Sequence, residues 1–235
     1  MSTDPLAGET VKTEATCLRI NPWSRTSHVV SWLTPSGRVA TLVKGAVRPK
    51  SAFLGQYDLN YTCGIVYYAR AHGEAHALRE CFPLERRDDL RGDYAALAVA
   101  SYFRALADEL APQGPDCREW HDLVVRSLDA LPGAANLVGE LLAFELEVLR
   151  LMGLWSGVAP EGGSFALRGE RRFDVSAAAA RCLAAPRDEK NFASLLDAAR
   201  AIGVFYTFHV DVAPEARRLA LQFAAKTTQE RLKEK

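Results

Sequence analysis

The chain has 235 residues, 49 % hydrophobic and 25 % charged, a globular composition with enough apolar material for one large or two small domains. Lysine plus arginine and aspartate plus glutamate are equal at 29 each, so no net charge draws the whole molecule to a polyanion. No apolar run approaches the roughly 18 residues that a membrane-spanning helix needs, which excludes that class of protein.

The charge is unevenly placed. From Ala15 to Arg79 eight cations (Arg19, Arg25, Arg38, Lys44, Arg48, Lys50, Arg70 and Arg79) meet only Asp58 and Glu74, an excess of six that the rest of the chain must offset. Cys17, Cys63, Cys81, Cys117 and Cys182 are odd in number, widely spaced and set among apolar residues, which predicts reduced core thiols rather than a disulfide frame. Met1 to Gly8 carries acid and proline where a signal peptide needs basic and then apolar residues, so the expected location is the cytoplasm.

Residues 1–12 read as a flexible lead-in. Strand-like pieces follow over residues 13–20, 27–34, 38–46, 59–70 and 76–82, separated by the turn signals Asn21-Pro22, Pro35-Ser36-Gly37, Pro49 with Gly55, and His72-Gly73. Tyr61, Cys63, Ile65 and Tyr67 put apolar groups on one face at period two, as a half-buried strand does. Five short strands in some seventy residues fit a five-stranded OB barrel over residues 13–84.

After Pro83 the apolar period becomes helical. Asp93 can cap a helix to about residue 110, and further helices are predicted near residues 115–131 and 134–152. A hairpin or irregular insertion is expected near 155–175, with Ser176, Asn191 and Pro214 starting the last three helices. The expected fold is therefore α+β in two domains, a barrel followed by a mainly helical domain over residues 85–235.

There is no P-loop, GxGxxG, HExxH or GxSxG, so phosphate-cradling and nucleophile-elbow chemistry have no support. On an extended chain His72, Glu74 and His76 would share one face, which keeps a metal-dependent enzyme open as an alternative, although a plain polar turn explains them as well. The paired acids Asp88-Asp89 and Asp108-Glu109 read as solvated surface. Trp32 and Trp120 read as core, whereas Pro22 and Ser24 place Trp23 in the first inter-strand loop. In an OB barrel that loop, the face of the second and third strands, and the loop between the fourth and fifth strands form the binding surface. Arg19, Arg25, Arg38, Lys44, Arg48, Lys50 and Arg70 fall on or beside those elements, with Trp23 and Tyr68 as stacking candidates, a combination suited to single-stranded nucleic acid.

The runs Asn21-Pro22-Trp23-Ser24-Arg25-Thr26-Ser27, Leu33-Thr34-Pro35-Ser36-Gly37-Arg38 and Leu42-Val43-Lys44-Gly45-Ala46-Val47-Arg48, and later Phe144-Glu145-Leu146-Glu147-Val148-Leu149-Arg150, resemble in order and spacing the bacterial recombination mediator family RecO. The resemblance implies an OB domain that binds single- and double-stranded DNA. It also implies a non-enzymatic, cytoplasmic and nucleoid-associated role in DNA repair: annealing strands and, with RecR, helping RecA onto DNA coated by single-strand-binding protein (SSB). It further implies an SSB-tail contact on the helical domain, here assigned to Phe144, Leu146 and Arg150. The chain departs from the family pattern in three places. Residues 155–181 lack the four cysteines of a zinc site, so no metal or other cofactor is expected; a usual glutamate is Arg25; and a late tyrosine, glycine and basic pattern becomes Phe208-His209-Val210-Asp211-Val212. A protein-docking adaptor without DNA binding is the remaining alternative.

Overall fold

The computed structural model describes residues 8–70, 75–114, 117–155, 157–159, 161–166, 172–210 and 212–233. All five expected strands form: β1 (Thr10–Pro22), β2 (His28–Thr34), β3 (Gly37–Val43), β4 (Thr62–Tyr68) and β5 (His76–Glu85). They close into a barrel of order β1-β2-β3-β5-β4, antiparallel except for the β3–β5 pair. That closure and connectivity are those of the OB fold.

β1 begins at Thr10, inside the stretch read as a flexible lead-in, because Thr10, Val11 and Lys12 pair with Tyr68, Tyr67 and Val66; β4 is shorter than expected at both ends and β5 runs on to Glu85. Two further strand ends differ for local reasons. β1 continues through the Asn21-Pro22 turn signal, because Asn21 pairs with Val29 and Pro22 with His28 at the strand end, where proline's missing N–H is tolerated. β3 stops at Val43 rather than Ala46, because Gly45 adopts a left-handed φ of 68° and turns the chain. Following partners around the barrel from Asn21 through Val29, Leu42, Ala77 and Tyr68 returns to β1 at Thr10, so the strands are strongly sheared.

Inward-facing residues fill the barrel: Ala15, Cys17, Val30, Trp32, Val43, Cys63, Ile65, Tyr67, Leu78 and Cys81. The indole N–H of Trp32 donates to Thr41 Oγ1 at 2.8 Å, which satisfies the one polar atom such a ring buries. Phe53 and Tyr57, from the segment joining β3 to β4, pack against this core, and Tyr57 Oη lies 2.8 Å from His28 Nδ1. All five cysteines are free and buried. Hydrogen bonding to Cys63 together with burial raises the Cys81 thiol pKa, and burial pushes Cys117 up to about 11, so both are protonated, unreactive thiols.

The helices are α1 (Tyr94–Leu110), α2 (Arg118–Ala130), α3 (Leu137–Leu151), α4 (Ala177–Ala184), α5 (Phe192–His209) and α6 (Pro214–Lys233), with strands β6 (Gly163–Ala166) and β7 (Arg172–Val175) paired between α3 and α4. The expected caps are in place. Asp93 accepts from the Ala96 N–H at 3.0 Å, Ser176 from Ala179 at 3.1 Å, and Asn191 from Ala193 and Ser194. α3 begins later than residue 134, because Asn136 is its cap: Oδ1 accepts from Gly139 N–H while Nδ2 donates to the carbonyls of Pro186 and Glu189.

The chain divides into two compact units, one joining residues 1–87 with 104–125, the other joining 88–103 with 126–235. α1 and α2 therefore each contribute to both. In the first unit Arg104 donates to the Leu18 carbonyl at 2.7 Å and to Asn60 Oδ1 at 2.6 Å, which ties this part of α1 to the strands. In the second unit the carboxylate of Glu145, fully buried on α3, accepts from Tyr102 Oη at 2.6 Å and from Arg217 Nε and Nη2 at 2.6 and 3.0 Å. Tyr206 Oη donates to the Glu145 carbonyl at 3.0 Å. Burial opposes the Arg217 charge, but Glu145 outweighs it and holds the guanidinium protonated. Among the described residues no helix is long and apolar enough to cross a membrane.

Candidate nucleic-acid interface

The loop after β1 is shaped by its own backbone. Trp23 and Ser24 both donate to the Ser27 carbonyl, at 2.8 and 3.2 Å, which leaves the indole of Trp23 66 % exposed. Two bonds pin this loop to the turn after β3: Gly45 N–H donates to Ser27 Oγ at 3.2 Å, and Val47 N–H to the Thr26 carbonyl at 3.3 Å. A Cβ on Gly45 would stand 3.2 Å from Arg48 Cδ, so glycine serves both the backbone angle and the approach of that side chain. The result is a groove of about 360 Å³ lined by Trp23, Ser24, Ser27, Leu42, Lys44, Gly45 and Arg48. An aromatic face, two hydroxyls and two cations meet in one depression, which can stack a base and pair a phosphate together.

The predicted cations fall into two sets. Arg25, Lys44, Arg48 and Lys50 are exposed, and none of them pairs with an acid among the described residues. Arg19 and Arg38 are different. Asp108 of α1, expected on the surface, is buried; its carboxylate lies 3.1 Å from Arg19 Nε and 3.9 Å from Arg38 Nη1 and accepts from Ser31 Oγ at 2.7 Å. Ser31 and Arg38 point to the outer barrel face, like Leu42 further along β3, so one acid compensates one end of that face and leaves the Leu42 end open.

Tyr68 ends β4 with its ring 38 % exposed, and the Arg79 guanidinium lies over it, 5.9 Å from the centroid. Arg70 follows on the half-buried end of the same segment, its N–H donating to His76 Nδ1 at 3.2 Å. Neither Tyr68 nor Arg70 lines the Trp23 groove. Of the alternative metal set, His72 and Glu74 lie outside the described residues, and the His76 ring stacks on Tyr67 at 5.1 Å. Among the described residues no group of three His, Cys, Asp or Glu could hold a metal ion.

The residues assigned to a tail contact need correction. Phe144 is fully buried and stacks on Phe103 at 4.0 Å between centroids, and Leu146 is 5 % exposed, so both are core; only Arg150 reaches the surface, paired with Glu147. A strong apolar helix period marks the core more often than a docking face, and here it does. The sequence reading missed two groups. Asp108 is remote in sequence from the arginines it neutralises, and Arg79 is an ordinary surface arginine until the register sets it over Tyr68.

A closed OB barrel with a grooved, cation-bearing outer face, carried with a unit of packed helices, defines the class: an OB-fold protein with a helical companion unit. The sequence model described as "Recombination protein O C terminal" matches residues 91–234, and the chain belongs to the RecO family. A protein of Rhodopirellula baltica named DNA repair protein RecO is 32 % identical over 145 residues, covering 59 % of this chain and 52 % of that protein. The protein of that name from a Roseiflexus species is 28 % identical over 142 residues, 60 % of this chain and 50 % of its own. That of Anaeromyxobacter dehalogenans is 29 % identical over 180 residues, 73 % of this chain and 69 % of its own. The chain thus spans about half the length of the first two curated relatives.

Proposed function

We propose that the protein is a non-enzymatic mediator of DNA repair and homologous recombination, binding single- and double-stranded DNA on the outer barrel face. The observation that carries this reading is the groove in which the exposed Trp23 meets Lys44 and Arg48, neither paired with an acid among the described residues. Phosphates along a strand supply the missing counter-charge, and stacking on the indole tolerates any base. Family membership supports the wider role: annealing of complementary strands and, with RecR, delivery of RecA to SSB-coated DNA in the cytoplasm, at the nucleoid. The test is annealing of complementary oligonucleotides, bare and SSB-coated. The wild-type chain is expected to accelerate both and Lys44→Ala/Arg48→Ala neither; no acceleration by the wild type would refute the reading.

The acidic SSB tail is proposed to dock between α5 and α6, in a groove of about 630 Å³ lined by Leu196, Val204, Val212 and Leu221 with Arg200, Arg217 and Arg218. A Cβ on Gly203 would lie 2.6 Å from Arg217 Nη1, so glycine lets that guanidinium pack against α5 while it holds Glu145, and Arg200 and Arg218 are the exposed cations of the groove. Arg200 and Arg218, whose exposed pairs with Asp197 and Glu215 are weak surface pairs, stand beside apolar side chains and suit a carboxylate-bearing apolar peptide better than the buried Phe144 and Leu146.

A further inference from the structure

We propose that Tyr68 and Arg79 form a second base-holding station, so that a single strand of DNA crosses the barrel from the Trp23 groove over β3 and β5 to β4. The inference rests on the barrel-face reading above and extends it to a residue, Arg79, that neither the motifs nor the groove identify.

Register carries the first part of the argument. Leu42, which lines the Trp23 groove, pairs with Ala77 on β5, and Ala77 pairs with Tyr68 on β4. Paired residues project from the same side of a sheet, so Leu42, Ala77 and Tyr68 form one row on the outer face. Two strand spacings separate Leu42 from Tyr68, about 10 Å, a distance that a few nucleotides cover.

A bulge carries the second part. Tyr67 pairs with Leu78 but Val66 with Glu80, so Arg79 has no partner on β4 and is the extra residue. Leu78 points inward, whereas Arg79 and Glu80 are both exposed, as a bulge allows and regular alternation forbids. Unbulged pairing would leave one outward side chain there. With the bulge, the Arg79 guanidinium rests over the Tyr68 ring. The pair is thereby held ready: an aromatic face to receive a base, and a cation to meet the adjoining phosphate. Glu80 lies opposite Val66, two residues along β4 from Tyr68, and so off the row.

The test measures binding of the full chain to oligodeoxythymidylates of about 4 and 12 nucleotides, for the wild type and for Tyr68→Leu, Tyr68→Phe, Arg79→Ala and Lys44→Ala/Arg48→Ala. Tyr68→Leu is expected to weaken the 12-mer about 5- to 150-fold, the range for one lost base stack, while leaving the 4-mer within about twofold. Arg79→Ala should act in the same length-selective way, and Tyr68→Phe should retain wild-type binding. Thermal melts matching the wild type establish that the variants fold. If Tyr68→Leu and Arg79→Ala leave the 12-mer unchanged while Lys44→Ala/Arg48→Ala weakens both lengths, the second station is refuted and the groove stands. If the wild type binds neither length, the barrel-face reading fails and the second station with it.

Discussion

Salt dependence separates the two sets of cations on the barrel. Each phosphate of a single strand neutralised by the protein contributes about -0.7 to the slope of log K against log salt. If Arg25, Lys44, Arg48 and Lys50 each meet one phosphate, the slope is about -2.8, and raising salt from about 50 to about 200 mM weakens binding about 50-fold. Removing two of them in Lys44→Ala/Arg48→Ala halves the slope to about -1.4 and the loss to about 7-fold. Arg38→Met should leave the slope near -2.8, because Asp108 already compensates that guanidinium and only 20 % of the side chain is exposed. Fluorescence anisotropy with a labelled oligonucleotide at five or six salt concentrations provides the slopes. A slope that changes for Arg38→Met but not for Lys44→Ala/Arg48→Ala would refute the assignment and move the interface to the other end of the barrel face.

Asp108→Asn keeps an acceptor for Ser31 Oγ but removes the charge that holds Arg19, whose side chain is 57 % exposed. The freed arginine should steepen the salt slope by about 0.7 and tighten binding in the same anisotropy assay. In the helical unit, Arg217→Met leaves the Glu145 carboxylate buried with its ion pair broken, a loss of about 3–5 kcal/mol. In urea melts Glu145→Gln/Arg217→Met should recover part of that loss, and additive single and double effects would show that the pair is not coupled. His121 supplies a pH test. Burial, against the opposing pull of Glu14, 3.9 Å from Nε2, and Asp122, 3.5 Å from Nδ1, holds its folded pKa below 6.5. Below pH 6.5 the unfolded chain gains a proton that the folded chain resists, so this contribution to stability is complete above 6.5 and declines as pH falls. His121→Gln should flatten the denaturation midpoint between about pH 7 and pH 5, and an unchanged profile would assign the acid sensitivity to other groups.

What can be read from the chain follows the range of the interactions. Period-two apolar residues such as Cys63, Ile65 and Tyr67 specify a half-buried strand wherever they occur, and Asp93, Ser176 and Asn191 cap helices through bonds that span three residues or fewer. The strands, the three capped helix starts, the unpaired thiols and the α+β class were legible for that reason. Trp23 in its exposed loop was legible too, because proline and serine flank it.

Charge compensation was not legible, since it depends on which distant side chain arrives. Arg38 and Lys44 are six positions apart on one basic run, yet only Arg38 meets Asp108, which comes from a helix some seventy residues later. The helical period of Phe144 and Leu146 reads as core, and only the family resemblance assigns them to a tail contact; Phe103 stacks on Phe144 in the core. Local residue chemistry, by itself, determined the strands, the caps and the basic barrel face of this protein. Closure of the barrel and the approach of α1 decided which of those cations keep a free charge, because an ion pair forms only where the fold brings both partners within a few ångströms.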